Sequence, residues 1–102
     1  MTTSTAAPTP ALTTLLPPSP NPANPGCTVR FGLARSGEVE LAVFDVSGRK
    51  IRSLASGLKA PGDHTAVWDG TDQGGSPVPS GLYFYRLTTD EGDQVRKMTL
   101  LK

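Results

Sequence analysis

Few of the 102 residues have the type and spacing that chemistry demands. His64 is the single histidine, and with Asp69 and either Ser76 or Ser80 it completes a triad on paper. An acyl-transfer triad needs the hydroxyl within hydrogen-bond reach of the imidazole and the base oriented by the acid. Neither serine sits on a nucleophile elbow, so His64 is read as a strand residue facing solvent or a sheet edge. Cys27 is the only cysteine and has no histidine near it in sequence. A reactive thiolate wants an electropositive neighbourhood, so Cys27 is read as a small buried hydrophobe.

Metal and ligand chemistry fare no better. The Asp69-Gly-Thr-Asp-Gln-Gly74 loop offers two carboxylates, whereas calcium takes about six to eight oxygens. Asp69 and Asp72 are instead read as caps of tight turns that Gly70 and Gly74 allow. Asp90, Glu91 and Asp93 are read as a solvated hairpin tip. Tyr83 and Tyr85 fall on one face of a strand and Phe84 on the other, so at least one of those faces is core. A sugar platform would need an exposed aromatic pair there. The expected sets of catalytic residues, metal ligands and cofactors are therefore empty.

The elements that carry these side chains divide the chain unevenly. Residues 1–25 hold Pro8, Pro10, Pro17, Pro18, Pro20, Pro22 and Pro25 of the ten prolines, with no glycine, aromatic or charged residue. Such a stretch cannot build a core, and it reads as an extended, polyproline-like spacer. Within it, Leu12, Leu15 and Leu16 are able either to dock on a sheet edge as an irregular first strand or to stay in the linker. Residues 1–16 are assigned to a Pro/Thr/Ala-rich leader and 17–102 to the folded domain. A second core does not fit in this length.

From Cys27 onward the period is two. Cys27, Val29, Phe31 and Leu33 share a face, as do Val39, Leu41 and Val43. Asp45-Val-Ser-Gly-Arg49 reads as a hairpin turn, with a return strand over Arg49–Ala55 anchored by Ile51. Further strands are expected over His64–Asp69, Gly81–Thr88 and Gln94–Leu101. No helical periodicity persists anywhere. Six strands, seven with the leader, predict an all-β fold: a small antiparallel β-sandwich. Trp68, Phe31, Phe44 and Phe84 are the expected large core residues, with the faces of Phe44 and Phe84 left open.

A family resemblance rests on particular strings. These are Asn21-Pro-Ala-Asn-Pro25, Thr28-Val-Arg-Phe31, Val43-Phe-Asp-Val-Ser-Gly-Arg49, Trp68-Asp-Gly70, Ser80-Gly-Leu-Tyr-Phe-Tyr-Arg86 and Arg96-Lys-Met-Thr-Leu-Leu-Lys102. In this order they resemble the FlgD-type Ig-like domain and the related C-terminal sorting domains of type IX secretion substrates. The resemblance implies an Ig/fibronectin III-like sandwich at the C-terminal end of a secreted or cell-surface bacterial protein. Many members carry Phe where this chain has Ala23, which removes one means of pinning the lead-in.

The resemblance implies a non-catalytic role in sorting, anchoring or assembly. The implied partners are proteins: secretion or anchoring machinery, a preceding domain of a parent protein, or like subunits. The alternatives are a self-assembling subunit that donates its N-terminal segment as a strand, and a flagellar hook-cap-like scaffold. A net charge of +1 supplies no basic footprint for nucleic acid, and no apolar run is long enough to be a transmembrane segment. Met1–Pro10 has neither the positive start nor the apolar stretch of a signal peptide, so export would require a signal elsewhere. The terminal strand and the Leu12–Leu16 stretch are the expected contact edges.

Overall fold

The computed structural model describes residues 13–21, 23 and 26–101. The described residues form seven strands: β1 (Thr14–Leu15), β2 (Cys27–Leu33), β3 (Gly37–Phe44), β4 (Lys50–Lys59), β5 (Gly62–Trp68), β6 (Gly81–Thr89) and β7 (Gly92–Leu100). They build two antiparallel sheets, β1-β2-β5 and β4-β3-β6-β7. This is an all-β sandwich of the expected Ig-like class, and among the described residues it contains no helix. Leu12 lies outside the described residues.

Alternation sets the core. Cys27, Val29, Phe31 and Leu33 of β2 face Val39, Leu41 and Val43 of β3 across the sandwich, all buried. Trp68 is fully buried at the end of β5 and meets Tyr83 edge to face, with ring centroids 5.2 Å apart. Burying each such side chain contributes about 1.5–3 kcal/mol, so this thin layer holds the sheets together.

One expectation for the core is overturned. Phe44 and Phe84 are not its large members; Tyr83 and Tyr85 are, at 5% and 0% exposure. The register places Phe44 directly opposite Phe84 on the outer face. The tyrosines tolerate burial because their hydroxyls find backbone acceptors. Tyr83 donates to the Pro79 carbonyl at 2.7 Å and Tyr85 to the Leu16 carbonyl at 2.8 Å.

The β3–β4 turn follows its residues. The Asp45 carboxylate accepts from the Ser47 and Arg49 amides at 2.9 and 3.0 Å, and Gly48 sits at φ +87°. Beyond it β4 runs to Lys59, four residues past the expected end. Gly57 falls inside the strand at φ +102°, where a connection was expected. Register shifts opposite Leu41/Ala42 and Val43/Phe44 let β4 absorb extra residues and twist along the edge of its sheet. The last strand keeps the alternation: Met98 and Leu100 face in and are buried, while Val95, on the opposite parity, is exposed.

Candidate functional site

The residues of the paper triad are not brought together. His64 is stacked on Phe31 at 5.3 Å, and its Nε2 lies 2.7 Å from the Ala60 carbonyl oxygen. Asp69 is five residues further along an extended chain, about 16 Å away at strand rise. Its carboxylate accepts from the Thr71 amide and hydroxyl, which hold its pKa below the usual carboxylate range. The Ser76 amide donates to the Asp72 carboxylate at 3.0 Å, as does that of Gly74. Both acids cap turns of their own loop, and the glycines at positive φ there are Gly70, as expected, and Gly75 in place of Gly74. Among the described residues, no three His, Cys, Asp or Glu side chains cluster as a metal site requires.

Cys27 is 3% exposed, its Sγ 3.3 Å from the thioether of Met98, and burial pushes its thiol pKa up. That is an inert packing residue rather than a nucleophile. The hairpin tip stands in solvent, with Glu91 paired to Arg35 at 3.2 Å. Tyr83 and Tyr85 cannot form a sugar platform, because both rings are core.

What the structure does assemble is a clamp around lead-in residues 13–21 and Ala23. The Leu15 amide donates to Gln94 Oε1 at 2.8 Å, and Gln94 Nε2 donates to the Thr13 carbonyl at 2.6 Å. Arg96 Nε reaches the Leu15 carbonyl at 3.0 Å. One amide side chain thus serves both a donor and an acceptor of β1, as a neighbouring strand would. Leu15 itself is fully buried between the sheets. Ala23 then pairs in parallel with β7, accepting from the Leu101 amide and donating to the Thr99 carbonyl, both at 2.8 Å. The lead-in is therefore pinned through its backbone even with alanine at this position. The two edges expected to meet partners occupy one another.

Sequence reading missed Gln94 and Arg96 as a clamp. The signal was present, since both share the parity of the inward Met98 and Leu100. Inward polar residues on a terminal strand must find partners, and only an adjacent segment supplies them.

The opposite seam is closed by a different device. Gln73 donates its amide to the Ile51 carbonyl at 2.9 Å and accepts from the Ser53 amide through Oε1, also at 2.9 Å. Arg52 donates to Thr71 Oγ1 and the Asp72 carbonyl, each at 2.8 Å. This covers the first half of β4. Neither its second half nor β5 has a further strand beside it in the sheet order.

The described residues thus build a two-sheet immunoglobulin-like module with a clamped lead-in and turn-bound acids. The model of the FlgD Ig-like domain matches residues 26–99, and the chain belongs to that family. It is 36% identical over 55 residues to the basal-body rod modification protein FlgD of Salmonella typhimurium, covering 54% of this chain and 24% of that one. The chain thus spans about a quarter of the length of that relative. Among solved structures, FlgD of Pseudomonas aeruginosa matches at TM-score 0.57 and 25% identity, over 72% of this chain and 58% of that one. Dimeric latent PorU of Porphyromonas gingivalis matches at TM-score 0.70 and 20% identity, over 98% of this chain and 10% of PorU. PorZ, a surface component of the type IX secretion system of the same organism, matches at 0.55 and 17%, over 86% of this chain and 11% of PorZ. The PorU and PorZ likenesses are likenesses of fold.

Proposed function

We propose that the chain is a non-catalytic, protein-binding Ig-like module of a secreted or cell-surface bacterial protein, acting in sorting, anchoring or assembly. The observation that carries this is the fate of the polar side chains. The candidate acids are consumed in turns, the thiol is buried, and the polar machinery that remains fastens the lead-in to β7. A module so fastened transmits position between what precedes it and what its outer surface meets. Its partners are secretion or anchoring machinery, a preceding domain or like subunits. The fold shared with PorU and PorZ supports the secretory setting. Fusing residues 13–102 to a periplasmic reporter in a type IX-competent host tests it. Surface delivery that depends on the fusion is expected; reporter held in the periplasm with and without it overturns the sorting role.

The match to the Salmonella protein favours one second reading, a hook-cap-like scaffold. Exchanging residues 26–99 into the corresponding segment of that protein tests it. Restored motility supports the scaffold, and non-motile cells with normal protein levels refute it. Strand donation to a neighbouring subunit has less support, because Thr14, Leu15, Ser19 and Ala23 already pair within their own chain.

A further inference from the structure

The outer face of the four-stranded sheet is not a plain solvated surface. Phe44 and Phe84 stand opposite one another on it, with Val46 and Val95 beside them at 70% and 56% exposure. Two depressions, about 340 and 320 Å³, share Phe84 and Val95 and join into one groove across the strands. It runs from the Asp45–Gly48 turn to Lys97. This size is at the low end for ligand sites and suits one or two side chains of an extended segment.

Its charge is one-sided. The Arg86 guanidinium lies 4.6 Å from the centroid of the Phe44 ring, spread over the aromatic face. The ion pairs among the described residues are Arg35–Glu91, Arg49–Asp45 and Lys50–Glu40, and neither Arg86 nor Lys97 enters one. Asp45, the acid lining the groove, is already held by Ser47 and Arg49. The uncompensated charge is therefore positive. A guanidinium braced on a ring keeps its outer edge for a carboxylate, which it binds in bidentate fashion.

We propose that this groove docks an extended protein segment presenting an apolar side chain flanked by carboxylates. The apolar side chain would sit between Phe44, Phe84 and Val95, and the carboxylates would meet Arg86 and Lys97. The proposal rests on the reading of the chain as a protein-binding module and names the chemistry of its partner. The fusion assay reads the whole module and the titration below reads the groove, so either can fail alone.

The test is an NMR titration of the 15N-labelled full chain with three end-blocked hexapeptides: Asp-Glu-Ile-Phe-Asp-Glu, Asn-Gln-Ile-Phe-Asn-Gln and Lys-Arg-Ile-Phe-Lys-Arg. The acidic peptide is expected to shift the amides of Phe44, Phe84, Arg86 and Val95 saturably. Its affinity should fall at least about fivefold as NaCl rises from roughly 0.03 to 0.3 M, as screening requires. The neutral peptide should bind about tenfold more weakly and the basic one not at all. Arg86→Glu, with spectral dispersion unchanged, should reverse the order, and Phe84→Ser should abolish binding of the acidic and the neutral peptide. Equal binding of the acidic and basic peptides, shifts confined to other strands, or no shift with the acidic peptide overturns the proposal. So does concentration-dependent movement of the same amides without peptide, which would assign the face to a second copy. Shifts there with cellohexaose but not with peptide would assign it to saccharide and overturn it equally.

Discussion

At the level of single residues, burial decides what each reactive group does. Cys27 is enclosed against Met98, and its thiol pKa is pushed up by loss of water. Its reaction with a disulfide reagent at pH 8 should be at least about 100-fold slower in the native protein than in urea, following the fraction of opened molecules. A native rate near the unfolded one would show the thiol to be accessible. Tyr85 makes the complementary case. Burial raises its pKa far above the ordinary value, and that of Tyr83 rises for the same reason. The neutral phenol is thus the form the fold favours. Its contribution is complete below the unfolded value near ~10 and is lost as pH climbs above it. Tyr85→Phe should cost about 1–2 kcal/mol at pH 7, because the Leu16 carbonyl loses its donor. The same variant should show a shallower loss of stability from about pH 10 upward than the native chain. Urea midpoints across that range decide it, and an unchanged slope would place the alkaline sensitivity elsewhere.

At the level of elements, the question is what fastens β1. It is too short to be held by a ladder alone, and Gln94, Arg96 and the Tyr85 hydroxyl supply the rest. Gln94→Ala should leave the Leu15 amide and the Thr13 carbonyl without that partner, costing about 1–2 kcal/mol. Hydrogen exchange should show the Leu15 amide losing protection while the β2–β5 ladder keeps its own. Uniform loss across both sheets would mean that the lead-in is part of one cooperative unit. The legibility of the strands follows the same physics. β2 and β3 were plain in the sequence because a face buried against the other sheet enforces period two. The hairpin turn was plain because Asp45 and Gly48 carry its geometry locally. The apolar pattern of β4 ends at Ala55, and beyond it only pairing with Val39 keeps Gly57 in the strand. The aromatics of β6 were ambiguous by parity, since Tyr83-Phe84-Tyr85 is apolar on both faces. Arg86, on the parity of Phe84, was the available hint that the phenylalanine faces out. The clamp was hidden for a different reason: its partners lie about 80 residues apart, bridging the two ends of the described chain.

At the scale of the molecule, the sandwich has two seams, and they are closed unequally. The loop after Trp68 covers half of β4, leaving Leu58 and Val67 exposed on the flanking strands. The lead-in closes the other seam with a buried leucine, side-chain clamps and a parallel bridge at Ala23. Where the folded unit begins is therefore a measurable energy. A chain of residues 13–102 retains every contact described for Leu15, whereas one of residues 17–102 loses β1 and leaves Gln94 and Arg96 facing an empty edge. Removing a fully buried leucine from a core costs about 2–5 kcal/mol, and the orphaned polar groups add to that. The shorter chain should melt roughly 10–20 °C below the longer one, given the shift per kcal/mol of a domain this size. It should also associate as its concentration rises, because the β2 edge that β1 had paired is bared as a template for another strand. Calorimetry on both chains, with light scattering across concentration, reads the two effects separately. Equal melting temperatures and monomers throughout would mean that the lead-in decorates the sandwich without completing it. A leucine-to-alanine change at Leu15 in the full chain gives the intermediate value: it removes the packing and keeps the backbone clamp. The ordering of those three chains then divides the stabilisation between the buried side chain and the strap that carries it.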